Sequence, residues 1–435
     1  MLQGLLQAFS IPEVRKRILF TMGVIVVFRL GSWIPVPGVN PDALAEFIRQ
    51  LNQVTGGLFQ FMNMFSGGAL KQYSVFALGV IPYINASIIM SLLTSVVPKL
   101  KELQKEGEEG RRVINRYTRY GTVGLAILQS FGTAFVLSSQ QIPGFGRIAE
   151  GGFIFYLVAT VSLTGGTMFL MWLGERITEN GIGRGISMII MFGIVASYPS
   201  YIGATTQLVA GGGTTIWWVL VLLVVFVVVI AGVVMIQLGA RRIEIQYAKR
   251  VVKGKVYGGQ NTHIPLSVNQ GGVIPIIFAS ALLTLPTTVV SSIPALQWLQ
   301  SYIGFGSPTY LVAYALLIIF FTYFYSHIVF DPRDLSDNLK RWGGYVPGIR
   351  PGQSTTQYIE RLMDRLIFIG AVFLTIIALM PYIFTSISGV TTFRLGGTSL
   401  LIVVGVGVDL IKQIEAHMVE RHYESLIQKG GFGRR

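Results

Sequence analysis

The stretch GVIPYINAS at residues 79–87 returns as GVIPIIFAS at residues 272–280, 193 positions later. Seven of the nine residues are identical, and each copy stands near the start of a long apolar run. A weaker echo pairs Gly185-Ile186-Ser187 with Gly397-Thr398-Ser399, each opening another apolar run. Duplicated membrane proteins commonly place their working site where the two halves meet. Chance is the alternative explanation, but matches at equivalent places in both halves favour a real repeat.

The composition of the chain indicates a membrane protein. Of its 435 residues, 52% are hydrophobic and 12% are charged, whereas a soluble domain carries about 25% charged residues. The chain has no cysteine, which excludes disulfides, thiolate metal sites and cysteine nucleophiles. No basic leader with a cleavable apolar core is recognisable at the N-terminus, so we predict no signal peptide.

Ten segments are apolar over about the length that a helix needs to cross a bilayer. The predicted spans are residues 18–36, 73–97, 118–139, 153–173, 183–203, 215–238, 271–293, 309–330, 363–384 and 397–414. The fold class predicted from them is an all-α, polytopic membrane protein of ten transmembrane helices.

The positive charges alternate between the connecting segments. Of the 34 Lys and Arg residues, 29 lie in the N-terminal tail, in every second connecting segment and from Lys412 onward. Cytosolic segments of membrane proteins carry the excess of Lys and Arg, so both termini and the loops at 239–270 and 331–362 are predicted to be cytosolic. The net charge of +14 is thereby mostly a topology signal, with ribosomal RNA as a further possible partner.

This topology makes the two halves of the chain antiparallel. The second span runs inward and the seventh runs outward, and the fifth and tenth are likewise opposed, which predicts two inverted five-helix halves. The predicted divisions are an N-terminal half at 1–203, a C-terminal half at 204–414 and a cytosolic tail at 415–435.

Aliphatic residues recur at related positions of the repeated spans. Val80 and Ile84 are four residues apart and share a helix face, and the fifth span repeats that spacing. The six candidates for lining the centre are Val80, Ile84, Ile186, Ile190, Ile277 and Ile402. Ordinary helix packing is the alternative interpretation of the same pattern.

Segment 56–70, GGLFQFMNMFSGGAL, is apolar but too short to span a bilayer. Glycine pairs flank it, which favours a re-entrant segment, with an interfacial helix as the alternative. Its candidate residues are Leu58, Phe59, Phe61, Met62, Met64, Phe65, Gly67 and Gly68.

The spans are nearly free of ionisable residues at mid-depth. Arg29 lies toward the outer end of its span, where a long cationic side chain can snorkel to the interface. A secondary transporter usually needs a polar midplane site, and a membrane-embedded hydrolase needs a nucleophile with a base. The chain offers no evident pattern for either, no metal-ligand spacing and no phosphate loop, since GIGRG at 181–185 has no strand before it. We therefore predict no enzyme activity, no catalytic residues, no metal and no cofactor.

An ordered series of local motifs resembles the bacterial SecY family, the central channel of the protein translocase. The motifs are FRLGSWIPVPGV (28–39), MFSGGAL (64–70), FALGVIPYINASIIM (76–90), KEGEEGRR (105–112), TRYGT (118–122), GTMFLMWLGERITENGIGRGIS (166–187), QYAKR (246–250), GGVIPIIFAS (271–280), YVPGIRPG (345–352) and GGTSLLIVVG (396–405). They follow one another in family order at family-like spacing, which makes the series highly specific.

The resemblance implies an hourglass pore between two pseudo-symmetric halves, and a role as a channel for unfolded secretory polypeptides. The six aliphatic residues match the constriction ring of the family, and segment 56–70 matches its plug. Spans two and three facing seven and eight match a lateral gate that opens to lipid, with Asn85, Ser87, Ser91, Phe278 and Ser280 along it.

The resemblance also implies docking residues and partners. The two cytosolic loops match the surface that receives the SecA motor or the ribosome, here Arg241, Arg242, Lys249, Arg250, Lys253, Lys255 and Arg350. The implied partners are the SecE and SecG subunits, SecA, the ribosome, signal peptides, nascent chains and membrane lipids, in the bacterial plasma membrane. The chain departs from many relatives at Lys253-Gly254-Lys255, where their basic pair is adjacent, and at Ser91, where glutamine is common.

Overall fold

The computed structural model describes residues 11–54, 58–149, 152–212, 215–247, 250–252, 255–257, 262–292, 298–304, 306–388 and 396–429. Most of these residues are helical. The helices are α1 (Pro12–Gly31), α2 (Pro41–Val54), α3 (Leu58–Phe65), α4 (Ile81–Val96), α5 (Pro98–Lys105), α6 (Glu108–Ser139), α7 (Gly152–Asn180), α8 (Gly185–Val195), α9 (Tyr198–Ala210), α10 (Ile216–Leu238), α11 (Ile274–Ser292), α12 (Gln300–Ile303), α13 (Pro308–Val329), α14 (Pro332–Arg341), α15 (Gln353–Ser388) and α16 (Gly396–Lys429).

Short strands complete the described part of the chain. They are β1 (Gln141–Ile142), β2 (Gly146–Arg147), β3 (Ala240–Tyr247), β4 (Arg250–Val252), β5 (Lys255–Tyr257), β6 (Thr262–Ser267) and β7 (Gly344–Tyr345). β3 lies between β6 and β7 in an antiparallel sheet, while β1–β2 and β4–β5 are separate hairpins. The all-α prediction is therefore right for the bundle but omitted these strands, which lie in segments that link helices.

Each predicted span overlaps one of the described helices, although the bounds differ. Six helical segments within the described ranges are long and apolar enough to cross a membrane, and a seventh is added if α4 and α5 count as one bent span. These segments correspond to predicted spans two to six, eight and nine. α4 begins at Ile81 rather than at residue 73, and residues 73–80 form turns instead.

The two copies of the repeated motif begin their helices in the same way. Gly79 and Gly272 adopt left-handed backbone conformations, with φ of 56° and 59°, which glycine alone adopts without steric cost. The helix starts two residues later in each copy, at Ile81 and at Ile274. A proline follows at the second helical position, where its missing N–H costs no hydrogen bond.

Helix contacts in one half of the chain recur at equivalent places in the other. α4 packs on α6, α6 on α7 and α7 on α8, just as α11 packs on α13, α13 on α15 and α15 on α16. The pair α1–α7 corresponds in the same way to α10–α15. Between the two sets of helices, α4 contacts α11, and α16 contacts α8 and α1.

The main apolar core lies where these two sets of helices meet. One buried cluster draws residues from both, including Phe28 of α1, Ile190 of α8, Phe278 of α11 and Ile402 of α16. A second cluster joins α2 to α6 and α7, and in a third the β6–β3–β7 sheet packs on α15.

Candidate pore, plug and gate

The six aliphatic residues predicted to line the centre come together in the main core. Val80, Ile84, Ile190 and Ile402 are buried members of that cluster, and Ile186 and Ile277 are partly buried against it. The six residues lie on four helices, or at the N-cap in the case of Val80, and each half of the chain contributes two of these helices. Ordinary helix packing would also place residues in this large cluster, so the constriction stays a prediction.

The segment 58–65 forms the short helix α3, and its C-terminal end enters the same core. Met64 is fully buried and Phe65 is 4% exposed, both within the cluster that holds the six aliphatic residues. α3 contacts α8. Gly56 and Gly57 lie outside the described residues, and the structure gives no side-chain description for Leu58 and Phe61.

Glycines allow the end of α3 to approach α1 and α8 closely. Gly67 and Gly68 both have positive φ, 67° and 90°. A Cβ on Gly67 would lie 2.8 Å from the ring of Phe28, and one on Gly193 would lie 3.2 Å from Gly67 Cα. Carbon atoms pack best at about 3.5–4.0 Å, so a side chain at either position would be too close. The approach of the turn to α1 and α8 therefore depends on glycine at both Gly67 and Gly193.

Hydrogen bonds close the turn after α3. Gly68 N–H donates to the Asn63 carbonyl at 2.9 Å, and Lys71 N–H donates to Asn63 Oδ1 at 2.8 Å. Leu70 N–H donates to Ser66 Oγ at 3.1 Å. These bonds satisfy groups that a helix end leaves unpaired, so the turn is a defined structure.

Arg29 joins this turn from α1. Its Nη1 donates to the Gly67 carbonyl at 2.5 Å. The sequence analysis noted only that a long cationic side chain at this depth can snorkel; the structure shows that the guanidinium binds the glycine turn. An arginine inside an apolar span was the available signal, but its partner lies 38 residues away and has no side chain.

The predicted gate residues lie on the two helices that contact each other between the halves. Asn85, Ser87 and Ser91 are partly buried on α4, while Phe278 and Ser280 are buried on α11. Two of these hydroxyl groups and one of these rings have contacts within their own half of the chain.

The hydroxyls of Ser91 and Ser280 each donate to a carbonyl of their own helix, at 2.8 and 2.9 Å. The Phe278 ring packs edge-on against Phe321 and Tyr325 of α13, with centroids 5.7 and 6.2 Å apart. These ring contacts of Phe278 lie within its own half of the chain.

The predicted docking residues fall on the strands and on the turn after β7. Arg241 and Arg242 are exposed on β3, and Arg350 is exposed in the turn. Arg250 and Lys255 lie on the β4–β5 hairpin, where Val252 pairs with Lys255. Lys249 and Lys253 lie outside the described residues.

The sheet joins the two loops that carry these cations. Gln246 of β3 pairs with Tyr345 of β7, so loop 239–270 is hydrogen-bonded to loop 331–362. Beneath the sheet, Ile243 and Leu266 form a buried cluster with Met363 and its neighbours on α15. Arg350 is fixed locally because Thr355 Oγ1 donates to its carbonyl at 2.9 Å. The sequence did not predict this pairing, because strands 99 residues apart leave no local pattern.

The glycine-rich stretch 181–185 proves to be a junction rather than a phosphate loop. α7 precedes it, and side chains from two distant helices bind its backbone. Ile182 N–H donates to Thr21 Oγ1 of α1 at 3.1 Å, and Gly183 N–H donates to Gln413 Oε1 of α16 at 3.0 Å. The junction therefore ties the N-terminal helices to the last helix of the chain.

No group of three or more histidines or carboxylates among the described residues is arranged to hold a metal ion. His263 is exposed, and His327 Nε2 lies 3.4 Å from Asp364 Oδ1 on the neighbouring helix. The candidate site described above consists largely of apolar side chains.

Comparison with known proteins decides the family. Residues 74–411 match the family model described as SecY. The Protein translocase subunit SecY of Thermotoga maritima is 49% identical over 434 residues, covering 99% of both chains. The chain belongs to the SecY family.

Solved structures share the fold at low sequence identity. One, described as showing that the SecY plug domain stabilises the closed state of the translocation channel and maintains a membrane seal, has a TM-score of 0.64 at 16% identity. It covers 95% of this chain and 96% of that chain. Canine Sec61 in a ribosome–channel complex from the endoplasmic reticulum has a TM-score of 0.60 at 15% identity, with the same coverage.

SecY-family membership gives the chain its class of function. It is a multi-pass membrane protein and a channel subunit of a protein translocase, not an enzyme.

Proposed function

We propose that the chain conducts unfolded secretory polypeptides through the centre of two inverted five-helix halves, 1–203 and 204–414, which enclose an hourglass pore of ten spans. The observation that carries this proposal is the meeting of six aliphatic residues from both halves in one core, with Met64 and Phe65 of α3 packed in the same core. The recurrence of equivalent helix contacts in both halves supports the division.

The chemistry of the six residues, Val80, Ile84, Ile186, Ile190, Ile277 and Ile402, suits a constriction. A channel for chains of any sequence cannot depend on specific contacts, and aliphatic side chains form a deformable ring without hydrogen bonds to break. A dry constriction also excludes ions, because stripping their hydration is costly. Segment 56–70 acts as the plug that seals the idle channel.

The contact between α4 and α11 is the proposed lateral gate. Asn85, Ser87, Ser91, Phe278 and Ser280 lie on these helices, and the described hydroxyl and ring contacts stay largely within each half. Separation of the two helices would open a path into lipid for apolar segments.

The proposed setting is the bacterial plasma membrane, with both termini and the tail 415–435 in the cytosol. The alternation of Lys and Arg along the chain supports this orientation. The sheet that joins loops 239–270 and 331–362 then faces the cytosol and presents Arg241, Arg242 and Arg350.

This sheet and the turn that carries Arg350 form the proposed docking surface for SecA or a ribosome. Further contributors are Lys249, Arg250, Lys253 and Lys255. SecE and SecG are the proposed companion subunits, and signal peptides, nascent chains and membrane lipids are the other partners. The fold shared with a ribosome-bound channel supports a ribosomal partner. No cofactor is needed, because energy comes from the docked partner.

The ion conductance of the idle channel tests the proposal. Ile84→Ser together with Ile190→Ser should raise the closed-state conductance in planar bilayers, because a polar lining retains water in the constriction. Ile154→Ser together with Ile376→Ser is the matched control, since these side chains are 72% and 60% exposed on the outside of the helices. Equal conductance of the two double variants would overturn the assignment of the constriction.

A further inference from the structure

The last turn of α1 carries a cation that faces the end of the plug helix. Arg29 is partly buried, and its Nη1 lies 2.5 Å from the Gly67 carbonyl oxygen. None of the ion pairs among the described residues includes this arginine. Its guanidinium therefore donates to a backbone oxygen and forms none of those ion pairs.

The acceptor lies where a cation is favoured. Gly67 follows the last residue of α3 by two positions, and the C-terminal end of a helix carries partial negative charge on its unpaired carbonyls. The N–H groups of Gly67 and Gly68 donate back into α3, to Met64 and Asn63. Those bonds hold the turn together, whereas the bond from Arg29 holds the turn to α1.

The same turn is formed by residues with high backbone freedom. Gly67 and Gly68 both have left-handed conformations, and a few such residues can absorb the dihedral changes of a hinge. The end of α3 is thus held by close packing against Phe28 and Gly193 and by one charge-assisted hydrogen bond.

We propose that Arg29 is a positioning residue that holds the plug in its closed seat, so that its bond to the Gly67 carbonyl breaks before the plug leaves. This inference rests on the proposed plug role of residues 58–68. A single bond suits the task, since it is strong in a dry closed channel, and an opened channel supplies water to both groups once they part.

The test measures how often the plug leaves its seat. The chain has no native cysteine, so Met64→Cys introduces a single thiol at a position that is fully buried in the closed state. The translocase complex is reconstituted in lipid vesicles without substrate, and the rate of labelling by a polar maleimide is followed.

Arg29→Gln should raise this labelling rate about tenfold to a hundredfold, the range expected for a lost hydrogen bond to a charged group. Arg29→Lys keeps the charge but loses the planar guanidinium, so its labelling rate should fall between the rates with Arg29 intact and with Arg29→Gln. Arg147→Gln is the matched control, because Arg147 is exposed on β2, and it should leave the rate unchanged.

Three results would overturn the inference. If Arg29→Gln labels no faster than Arg147→Gln while the Ile84→Ser, Ile190→Ser channel leaks ions, the proposed function stands and the role of Arg29 is wrong. If Arg29→Gln lowers the thermal stability of the complex without faster labelling, the arginine is only structural. If Met64→Cys labels rapidly with Arg29 intact, the closed plug seat is itself wrong.

Discussion

Gly193 offers a quantitative test of how the proposed plug, α3 and the turn after it, packs against α8. A Cβ at this position would lie 3.2 Å from both the Cα and the N atom of Gly67, and 3.5 Å from the Met64 carbonyl oxygen. Carbon contacts are best at about 3.5–4.0 Å. Gly193→Ala therefore overlaps the plug by a few tenths of an ångström, and the atoms it meets are backbone that cannot rotate away.

Two opposite effects determine the outcome. Overpacking of this kind costs about 1–3 kcal/mol, and this cost exists only while the plug is seated. Alanine within helix α8 stabilises the helix by about 1 kcal/mol relative to glycine, and this gain is the same with the plug in or out. The plug equilibrium should thus shift toward release by about 1–3 kcal/mol, or about 5- to 150-fold, while α8 itself becomes no less stable.

Closed-state ion conductance in planar bilayers reports the release, and thermal unfolding reports the stability. Gly203→Ala is the matched control, because Gly203 lies on α9 with no atom within 4 Å of an added Cβ. Only Gly193→Ala should leak. If both variants keep a tight closed state and both are slightly stabilised, α3 is not seated against α8 in the idle channel.

Three further predictions concern the proposed docking surface, the junction at residues 181–185 and the contact between α4 and α11. Arg350→Glu should block SecA-driven export of a reporter in vesicles while the thermal stability stays unchanged, since Arg350 is exposed; normal export would contradict its docking role. Thr21→Val leaves the buried Ile182 N–H without its acceptor, which should cost about 1–3 kcal/mol and lower the unfolding temperature, whereas an unchanged temperature would show that the junction bond is not needed. A cysteine pair with one member in 85–92 and one in 276–285 should form a disulfide between α4 and α11, which requires Cα atoms within about 7 Å, and this disulfide should stop translocation. A longer, flexible crosslink at the same pair should restore part of the translocation. Unaffected transport with the disulfide formed would contradict the lateral gate.

Local patterns in the sequence predicted much of the helical framework. The apolar runs placed a helix at each predicted span, and the repeated GVIP motif predicted two helices that begin alike, as Gly79 and Gly272 show. That the six aliphatic residues form a constriction stays a prediction, although all six lie in or against one apolar core. Each of these features depends on residues close together in the chain or on a direct repeat.

The features that the sequence did not predict depend on contacts between distant residues. Residues 73–80 are apolar enough to extend a span, yet they fold into turns, within which Gly79 has a left-handed backbone and lies close to Ser66 after α3. The bond from Arg29 to Gly67 and the bond from Gly183 to Gln413 involve backbone groups, which leave no trace in the residue pattern. The pairing of β3 with β7 likewise joins two loops across 99 residues.

Capture of a translocating chain at the constriction is the most direct test of the central claim. Single cysteines at Ile84 or Ile402, one in each half, would be combined with a secretory substrate that carries one cysteine and is arrested in transit by a folded domain. The account predicts disulfides from both positions to the arrested substrate, and none from cysteines at the exposed positions Ile154 and Ile376. Disulfides at the exposed positions, with none at Ile84 or Ile402, would show that polypeptides do not pass between the two halves.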